Sequence, residues 1–227
     1  MSDIYLIRHG QASFHKKDYD QLSELGMQQS LVLGAFFERH YAPTRMIVGA
    51  MRRHRQTLEF FQENCSSNKV VEVEGAFNEL DHVDVLQVFD SSWNKPEQNK
   101  EHPQKKASTA KDFEKIFIGA LDLWQSGTRD ADYKENWSAF KSRVVDGFNA
   151  IISNISAGEQ LVIFTSGGPI AVIVAHILGV DDHTLLKLNQ QIINTSITHL
   201  KTNGANTSLS AFNHYPHLYE HDLISRR

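Results

Sequence analysis

Residues 4–14 read IYLIRHGQASF, an apolar run that ends in three very different residues, Arg8, His9 and Gly10. The run from 4 to 7 is short and apolar and stops at a polar signal, which predicts a buried strand close to the N-terminus. In open α/β sheets, ligands usually bind outside the carboxyl ends of the strands. If the fold is of this kind, the strand delivers a guanidinium, an imidazole and a residue without a side chain to the binding edge.

Apolar runs rich in β-branched residues predict three more buried strands later in the chain. They are Met46–Val48, Val70–Val73 and Leu161–Phe164. Helical patterns separate most of the strands: 25–37 with Ser23 as a possible N-cap, 58–61 and 140–155. This alternation predicts an α/β fold, a three-layer sandwich in which helices flank a mainly parallel sheet. Near the C-terminus, Asn203-Gly204 predicts a hairpin turn that adds an antiparallel edge to this sheet.

Composition limits the class of protein. The chain has 227 residues, of which 41% are hydrophobic and 22% charged, as expected for one globular domain over 1–227. A net charge of −4 does not favour nucleic acid as a partner. The single Cys65 excludes an intramolecular disulfide and is consistent with a cytoplasmic location. We expect no signal peptide, because Met1-Ser2-Asp3 includes no basic region ahead of an apolar run, and no membrane span, because Gly167-Gly168-Pro169 interrupts the most apolar later segment. The sequence leaves the oligomeric state open.

The segment at about 81–111 contains few residues that a core could bury. It is predicted to be an excursion from the domain, either an insertion or lid over a site or a solvated loop without a role. Substrate specificity is expected to lie there and in its surroundings.

Chemically reactive groups follow each of the four predicted strands. They are Arg8-His9-Gly10, Arg53, Glu79 and Ser166-Gly167. This set suits phosphoryl transfer, because Arg matches phosphate oxygens, a neutral imidazole can accept a phosphoryl group and a carboxyl can protonate a leaving oxygen. The chain has no Walker-type loop, no His-Glu-x-x-His motif and no Cys/His cluster, so we expect no bound metal and no cofactor.

Ordered motifs over nearly the whole chain resemble those of the histidine phosphatase superfamily, in its phosphoglycerate-mutase-like branch. They are Arg8-His9-Gly10, the stretch 22–29 (LSELGMQQ), Arg53-His54-Arg55-Gln56-Thr57, Phe77-Asn78-Glu79 and Asn194-Thr195-Ser196-Ile197-Thr198. The resemblance implies that His9 is the phosphorylated nucleophile, that Arg8 and Arg53 clamp the phosphate and that Glu79 is the proton donor. Gly10, Ser166 and Gly167 are further candidate phosphate contacts, and Gln11 and Ser13 either bind phosphate or only shape the loop.

The chain differs from the family pattern at three positions. Ser166 stands where a second histidine usually precedes the two glycines, His54 stands where a small residue is common, and Ala12 stands where a hydroxyl residue is common. A serine hydroxyl can still donate to a phosphate oxygen; alternatively, another histidine such as His82 takes the vacant role.

The resemblance implies a metal-independent phosphatase that hydrolyses phosphomonoesters through a phosphohistidine at His9. The expected substrate is a small phosphorylated molecule or a phosphoprotein. Two alternatives stay open: a phosphomutase, which returns the phosphoryl group to a reoriented substrate, and a non-catalytic phosphate-binding regulatory protein.

Overall fold

A computed structural model describes residues 1–13, 20–66, 71–94 and 110–226. These residues form two compact units. The first comprises the described residues of Met1–Ser13, Asp20–Glu79 and Val144–Arg227, and the second comprises those of Leu80–Arg143.

The first unit contains one six-stranded sheet. The strands are β1 Ser2–Arg8, β2 Arg45–Val48, β3 Val71–Val73, β4 Gln160–Thr165, β5 Ile197–Thr202 and β6 Thr207–His214. Their order is β3-β2-β4-β1-β5-β6, with β3, β2, β4 and β1 mutually parallel and β5 and β6 antiparallel. The predicted strands and the mainly parallel sheet are confirmed; Val70, included in the third predicted strand, lies outside the described residues.

Helices follow or precede most of the strands. They are α1 Glu24–His40, α2 Arg52–Glu63, α3 His82–Phe89, α4 Ala110–Gln125, α5 Trp137–Ser153, α6 Gly167–Leu178 and α7 Asp182–Gln191. Short 3-10 helices span Gly75–Phe77, Ser91–Asn94, Asp130–Asp132 and Pro216–His221. Ser23 is the N-cap of α1, as predicted, and its side chain accepts the backbone N–H of Gly26. None of the helices in the described ranges combines the length and the apolar character needed to cross a membrane.

Apolar side chains cover both faces of the sheet in the first unit. On one face, Phe61 of α2 packs edge-on against Phe37 of α1 and Phe164 of β4, with ring centroids 5.2 and 5.1 Å apart. On the other face, Ile4 and Leu6 of β1 are fully buried. The helix α6, buried from Gly167 to Ala175, packs against β1. The expected arrangement of helices around a central sheet is therefore confirmed.

The predicted antiparallel edge is present as the β5–β6 hairpin. Of the two turn residues, only Gly204 has a positive φ, of 88°. Asn203 contributes differently, because its side-chain oxygen accepts the N–H groups of Ala205 and Asn206.

The predicted excursion at 81–111 is described only at its ends, since residues 95–109 lie outside the described ranges. Its first part is the helix α3, and its last two residues, Ala110 and Lys111, begin α4. The second unit continues beyond this segment to Arg143. Within this unit, the ring of the buried Trp124 contacts those of Tyr133, Trp137 and Phe140, at centroid distances of 6.4, 5.1 and 5.5 Å.

The loop after β1 lies against the first turn of α1 through two glycines. A Cβ at Gly10 would come within 2.4 Å of the Gly26 carbonyl oxygen, and a Cβ at Gly26 within 2.2 Å of the Gln11 carbonyl oxygen. Real side chains do not tolerate such distances to a backbone atom. The pair therefore sets how closely the helix approaches the loop that carries His9.

We expect Gly26→Ala to lower the free energy of unfolding by about 1–3 kcal/mol, because the backbone must move to admit the methyl group. The higher helix propensity of alanine by itself would raise the free energy of unfolding by about 1 kcal/mol, so the steric cost has to exceed this gain for the variant to be less stable. Thermal denaturation should show a lower Tm, by roughly 2–4 °C per kcal/mol. Gly75→Ala is the matched control, since a Cβ there would meet nothing closer than an atom of Asn78 at 3.9 Å. A Gly26→Ala protein as stable as the wild type would contradict the packing argument.

Candidate active site

The carboxyl ends of β1, β4 and β2 lie side by side. β4 is paired in register on both sides, Arg8 of β1 opposite Thr165 and Val48 of β2 opposite Phe164. The residues that follow these strands therefore emerge at one edge of the sheet, as the sequence predicted.

His9 is held rigidly at this edge. Its side chain is buried, its backbone N–H donates to the Thr165 carbonyl at 2.8 Å and its carbonyl accepts the Asn194 side-chain amide at 3.1 Å. The ring nitrogen Nδ1 lies 2.7 Å from the Gly10 carbonyl oxygen. A carbonyl can only accept, so Nδ1 carries the hydrogen and the lone pair lies on Nε2. The arrangement leaves Nε2 available as a nucleophile.

The surroundings of His9 keep its ring neutral. Burial contributes most, followed by the positive charges of Arg53 and Arg8 and by His54, and together they lower the pKa of His9 well below its ordinary value of 6.5. A neutral imidazole is the form that can attack an electrophile. The same two guanidinium groups that favour the neutral ring would favour a bound anion.

Arg53 lies in the first turn of α2 and is only 3% exposed. Its Nη1 is 2.8 Å from Oδ1 of Asp20, whose other oxygen accepts the backbone N–H of Arg52 at 2.8 Å. Asp20 therefore both pairs with the buried guanidinium and caps α2, where the N-cap residue Met51 has no side chain that could do so. Asp20 was not among the predicted site residues, because it belongs to no motif in the sequence.

Arg8 and Gly167 also lie at this edge. The Arg8 guanidinium donates to the carbonyl of Ile192. A Cβ at Gly167 would lie 2.5 Å from Oδ1 of Asn189 and 3.9 Å from Nε of Arg8. The absent side chain therefore allows Asn189 to approach the start of α6.

Glu79 is anchored to the same edge from the β3 side. Its carboxylate accepts the backbone N–H of Gly168, in the first turn of α6, at 3.1 Å. The preceding residues are fixed as well, since the Thr165 hydroxyl donates to the Phe77 carbonyl at 2.6 Å and Asn78 accepts the N–H of Ala50 at 2.7 Å. These contacts place the half-buried carboxylate of Glu79 close to the start of α6, whereas its role as proton donor stays a prediction.

The remaining residues of the loop after β1 form hydrogen bonds within the protein that fix the shape of the loop. Gly10 donates its N–H to the Thr57 hydroxyl at 3.0 Å. The side-chain oxygen of Gln11 accepts the Ser23 hydroxyl at 2.8 Å, and the Ser13 hydroxyl donates to the carbonyl of Leu22 at 3.4 Å. Shaping the loop is one of the two roles predicted for Gln11 and Ser13, whereas their binding of phosphate remains a prediction.

Ser166 forms a side-chain contact that no motif in the sequence predicts. Its hydroxyl lies 2.7 Å from Nε2 of His54, and both residues are fully buried. The His54 ring faces that of His9, with centroids 5.8 Å apart and planes inclined by 34°. Space for His54 depends on Gly49, because a Cβ there would lie 2.2 Å from its Nδ1. The sequence held one indication of this contact, since Ser166 and His54 both differ from the residues usual at their positions in the family motifs.

Burial also lowers the pKa of His54 well below 6.5, with a further contribution from the charge of Arg53. His9 and His54 therefore bind fewer protons in the folded chain than in the unfolded chain whenever the pH is low enough to protonate an unfolded histidine. Stability rises with pH in that range and is lost as the pH falls below about 6.5.

We expect His54→Gln to reduce this loss of stability. Each such histidine contributes at most about 1.4 kcal/mol per pH unit, and the variant lacks one of the two. Urea unfolding at pH 7.5, 6.5 and 5.5 measures the slope, and an unchanged m-value ensures that the same transition is compared. Identical slopes for wild type and variant would show that His54 does not carry the effect.

Within the described residues, no group of three or more His, Cys, Asp or Glu side chains is placed to hold a metal ion.

The model of the histidine phosphatase superfamily (branch 1) matches residues 4–214. Together with the fold and with the Arg-His-Gly loop at the end of β1, this match shows that the chain belongs to that superfamily.

Solved structures with the same fold include enzymes of several specificities. A phosphoserine phosphatase from Entamoeba histolytica in complex with 3-phosphoglyceric acid has a TM-score of 0.64 and 15% identity, covering 96% of this chain and 100% of its own. A mycobacterial glucosyl-3-phosphoglycerate phosphatase has a TM-score of 0.66 and 19% identity, covering 93% and 98%. A phosphoglycerate mutase from Bacillus anthracis has a TM-score of 0.63 and 12% identity, covering 96% and 95%. No curated protein matches the chain.

Proposed function

We propose that this protein is a metal-independent phosphatase that hydrolyses phosphomonoesters through a phosphohistidine at His9. The observation that carries the proposal is the state of His9: a buried, neutral imidazole whose Nδ1 is engaged by Gly10 and whose pKa is lowered in part by Arg53 and Arg8. Membership of the histidine phosphatase superfamily supports the reaction class. The single Cys65 supports the cytoplasmic location proposed with it.

In the first step, Nε2 of His9 attacks the phosphorus atom and the bond to the ester oxygen breaks. Glu79, entering as the carboxylic acid, protonates that oxygen, so the alcohol leaves in neutral form. Arg8 and Arg53 stabilise the charge on the transferred group. The hydroxyl of Ser166 and the backbone N–H of Gly167 complete its hydrogen bonding, whereas the N–H of Gly10, a predicted phosphate contact, is already donated to the Thr57 hydroxyl.

In the second step, water attacks the phosphorus of phosphohistidine and the nitrogen–phosphorus bond breaks. Glu79, now a carboxylate, takes the proton from water, and His9 returns to its neutral form. Asp20 shares Arg53 with the bound phosphate, which limits how tightly the product is held. The cycle needs no external cofactor, because every proton and electron pair is supplied by the substrate, by water and by these residues.

Ser166, in place of the usual second histidine, supplies an uncharged hydrogen bond. A charged hydrogen bond contributes roughly 1.5–3 kcal/mol, which corresponds to a loss in rate of about 10- to 150-fold. The total acceleration available for phosphate monoesters approaches ~10²¹. The substitution is therefore compatible with turnover.

The proposed substrate is a small phosphorylated molecule. The phosphatases with a similar fold are named for phosphoserine and glucosyl-3-phosphoglycerate, which are small phosphomonoesters. A phosphoglycerate mutase shares the fold too, so the fate of the phosphoryl group on His9 has to be measured directly.

We expect the wild-type protein to hydrolyse p-nitrophenyl phosphate in excess chelator, and His9→Ala to reduce turnover by about 10³-fold or more, since the nucleophile is removed. A quench in alkali should trap radiolabel on wild type and not on His9→Ala. The exposed His176→Ala is the control. Label that passes to a second phosphorylated acceptor instead of water would establish a mutase. Vanadate binding without turnover or label would establish a regulatory protein.

We expect Glu79→Gln to slow hydrolysis of an alkyl phosphate by about 10²- to 10⁴-fold, because an alkoxide leaves poorly without a proton. The loss with p-nitrophenyl phosphate should be much smaller, since its leaving group needs no proton. The value of kcat/KM with each substrate measures the difference, because it covers only the steps up to departure of the alcohol and not the later hydrolysis in which Glu79 acts as base. Glu59→Gln, an exposed carboxyl on α2, is the control. Equal losses with the two substrates would exclude Glu79 as the acid.

A further inference from the structure

His54 is a fully buried imidazole that the proposed cycle does not use. It lies on the first turn of α2, which follows β2, whereas Ser166 follows β4 and His9 follows β1. Since β4 lies between β2 and β1, the chain at Ser166 leaves the sheet between the two segments that carry the histidines. The topology therefore brings His54, Ser166 and His9 to the same edge of the sheet, where the His54 ring contacts both the Ser166 hydroxyl and the His9 ring.

The hydroxyl of Ser166 contacts His54 and does not cap the helix that Ser166 precedes. An N-cap serine ordinarily accepts a backbone N–H from the first turn. Ser166 is the N-cap of α6, yet its side chain makes no capping bond. The N–H of Gly168 is instead accepted by Glu79 at 3.1 Å, and the Ser166 hydroxyl lies 2.7 Å from Nε2 of His54. Glu79 thus performs the capping that leaves the hydroxyl available to His54.

We propose that His54 is a positioning residue for phosphoryl transfer, which acts by orienting the hydroxyl of Ser166. Nε2–H of His54 donates to Oγ of Ser166, and the hydroxyl hydrogen is thereby directed to a non-bridging oxygen of the phosphoryl group on His9. No bond other than hydrogen bonds forms or breaks in this arrangement. The inference rests on the proposed function and adds a residue to its machinery.

The groups that face His54 explain why it acts through a dipole and not through a charge. They are Arg53 on its own helix, His9 beyond the end of β1, Ser166 at the start of α6, and the backbone of Gly49, which by itself would favour the charged ring. Burial and the adjacent guanidinium favour the neutral ring. Among the described residues Nδ1 of His54 has no hydrogen-bond partner, so the single hydrogen of the neutral ring is assigned to Nε2, where the Ser166 hydroxyl accepts it.

The test is a double-mutant cycle between His54 and Ser166, read in kcat/KM for p-nitrophenyl phosphate and in the dissociation constant of vanadate. We expect His54→Phe and Ser166→Ala each to reduce kcat/KM by about 10- to 100-fold, as loss of one phosphoryl hydrogen bond does. The double variant should be no worse than Ser166→Ala by more than about twofold, because His54 acts only through that hydroxyl. The exposed His176→Phe is the matched control.

His54→Gln separates positioning from mere packing. The amide nitrogen of the glutamine can reach the place of Nε2 and donate to Ser166. On a logarithmic scale, we therefore expect kcat/KM of His54→Gln to lie at least about halfway from His54→Phe to wild type, with most of the recovery in kcat. If His54→Phe fails to fold in a thermal melt, the cycle is run with His54→Gln and Ser166→Ala, and the same lack of additivity is expected.

Fully additive losses, or a folded His54→Phe protein with wild-type kcat/KM, would overturn the proposal. Failure of the proposed function has a different signature, since wild type would then neither turn over aryl phosphate nor accept label on His9. If the wild type shows no turnover, the double-mutant cycle between His54 and Ser166 is read from the dissociation constants of vanadate alone. Non-additive weakening supports the His54–Ser166 arrangement, and unchanged binding in His54→Phe rejects it.

Discussion

The parallel pairing of β4 with both β1 and β2 is the constraint on which the site depends. Backbone hydrogen bonds on both sides of β4 align Arg8 with Thr165 and Val48 with Phe164, so the chain leaves all three strands at one level. No side chain at the site has to bring these segments together. The side chains only complete an edge that the sheet has already assembled, which is why residues far apart in the chain can be held within hydrogen-bonding distance.

Exclusion of water at this edge disfavours a charge on the imidazole of His9 but strengthens any ion pair that the guanidinium groups form. It lowers the pKa of His9, which keeps the imidazole neutral. It also strengthens the attraction between the guanidinium groups and an anion. A buried guanidinium without a counter-charge would be unfavourable, however, and Asp20 supplies one to Arg53 at 2.8 Å. The buried guanidinium of Arg53 therefore already has a carboxylate partner within the protein.

Several local rules are broken at the site, and each exception is compensated by a neighbour. Ser166 occupies an N-cap position without capping, and Glu79 accepts an N–H of the first turn of α6 instead. His54 is buried where its ring needs space, and Gly49 leaves that space open. Such concentrated exceptions are expected where function and not stability determines the residues.

Local pattern determined the strands, the N-cap Ser23, the antiparallel hairpin and the placement of Arg8, His9, Arg53, Glu79 and Ser166 after strand ends, because periodicity and strand termini are properties of neighbouring residues. Only the tertiary structure decided the pairing of Asp20 with Arg53, of His54 with Ser166 and of Asn194 with His9. These partners are 33, 112 and 185 residues apart, and no local spacing encodes such contacts. The order of the strands brings them together, and the sheet forms that order only when the whole first unit has folded.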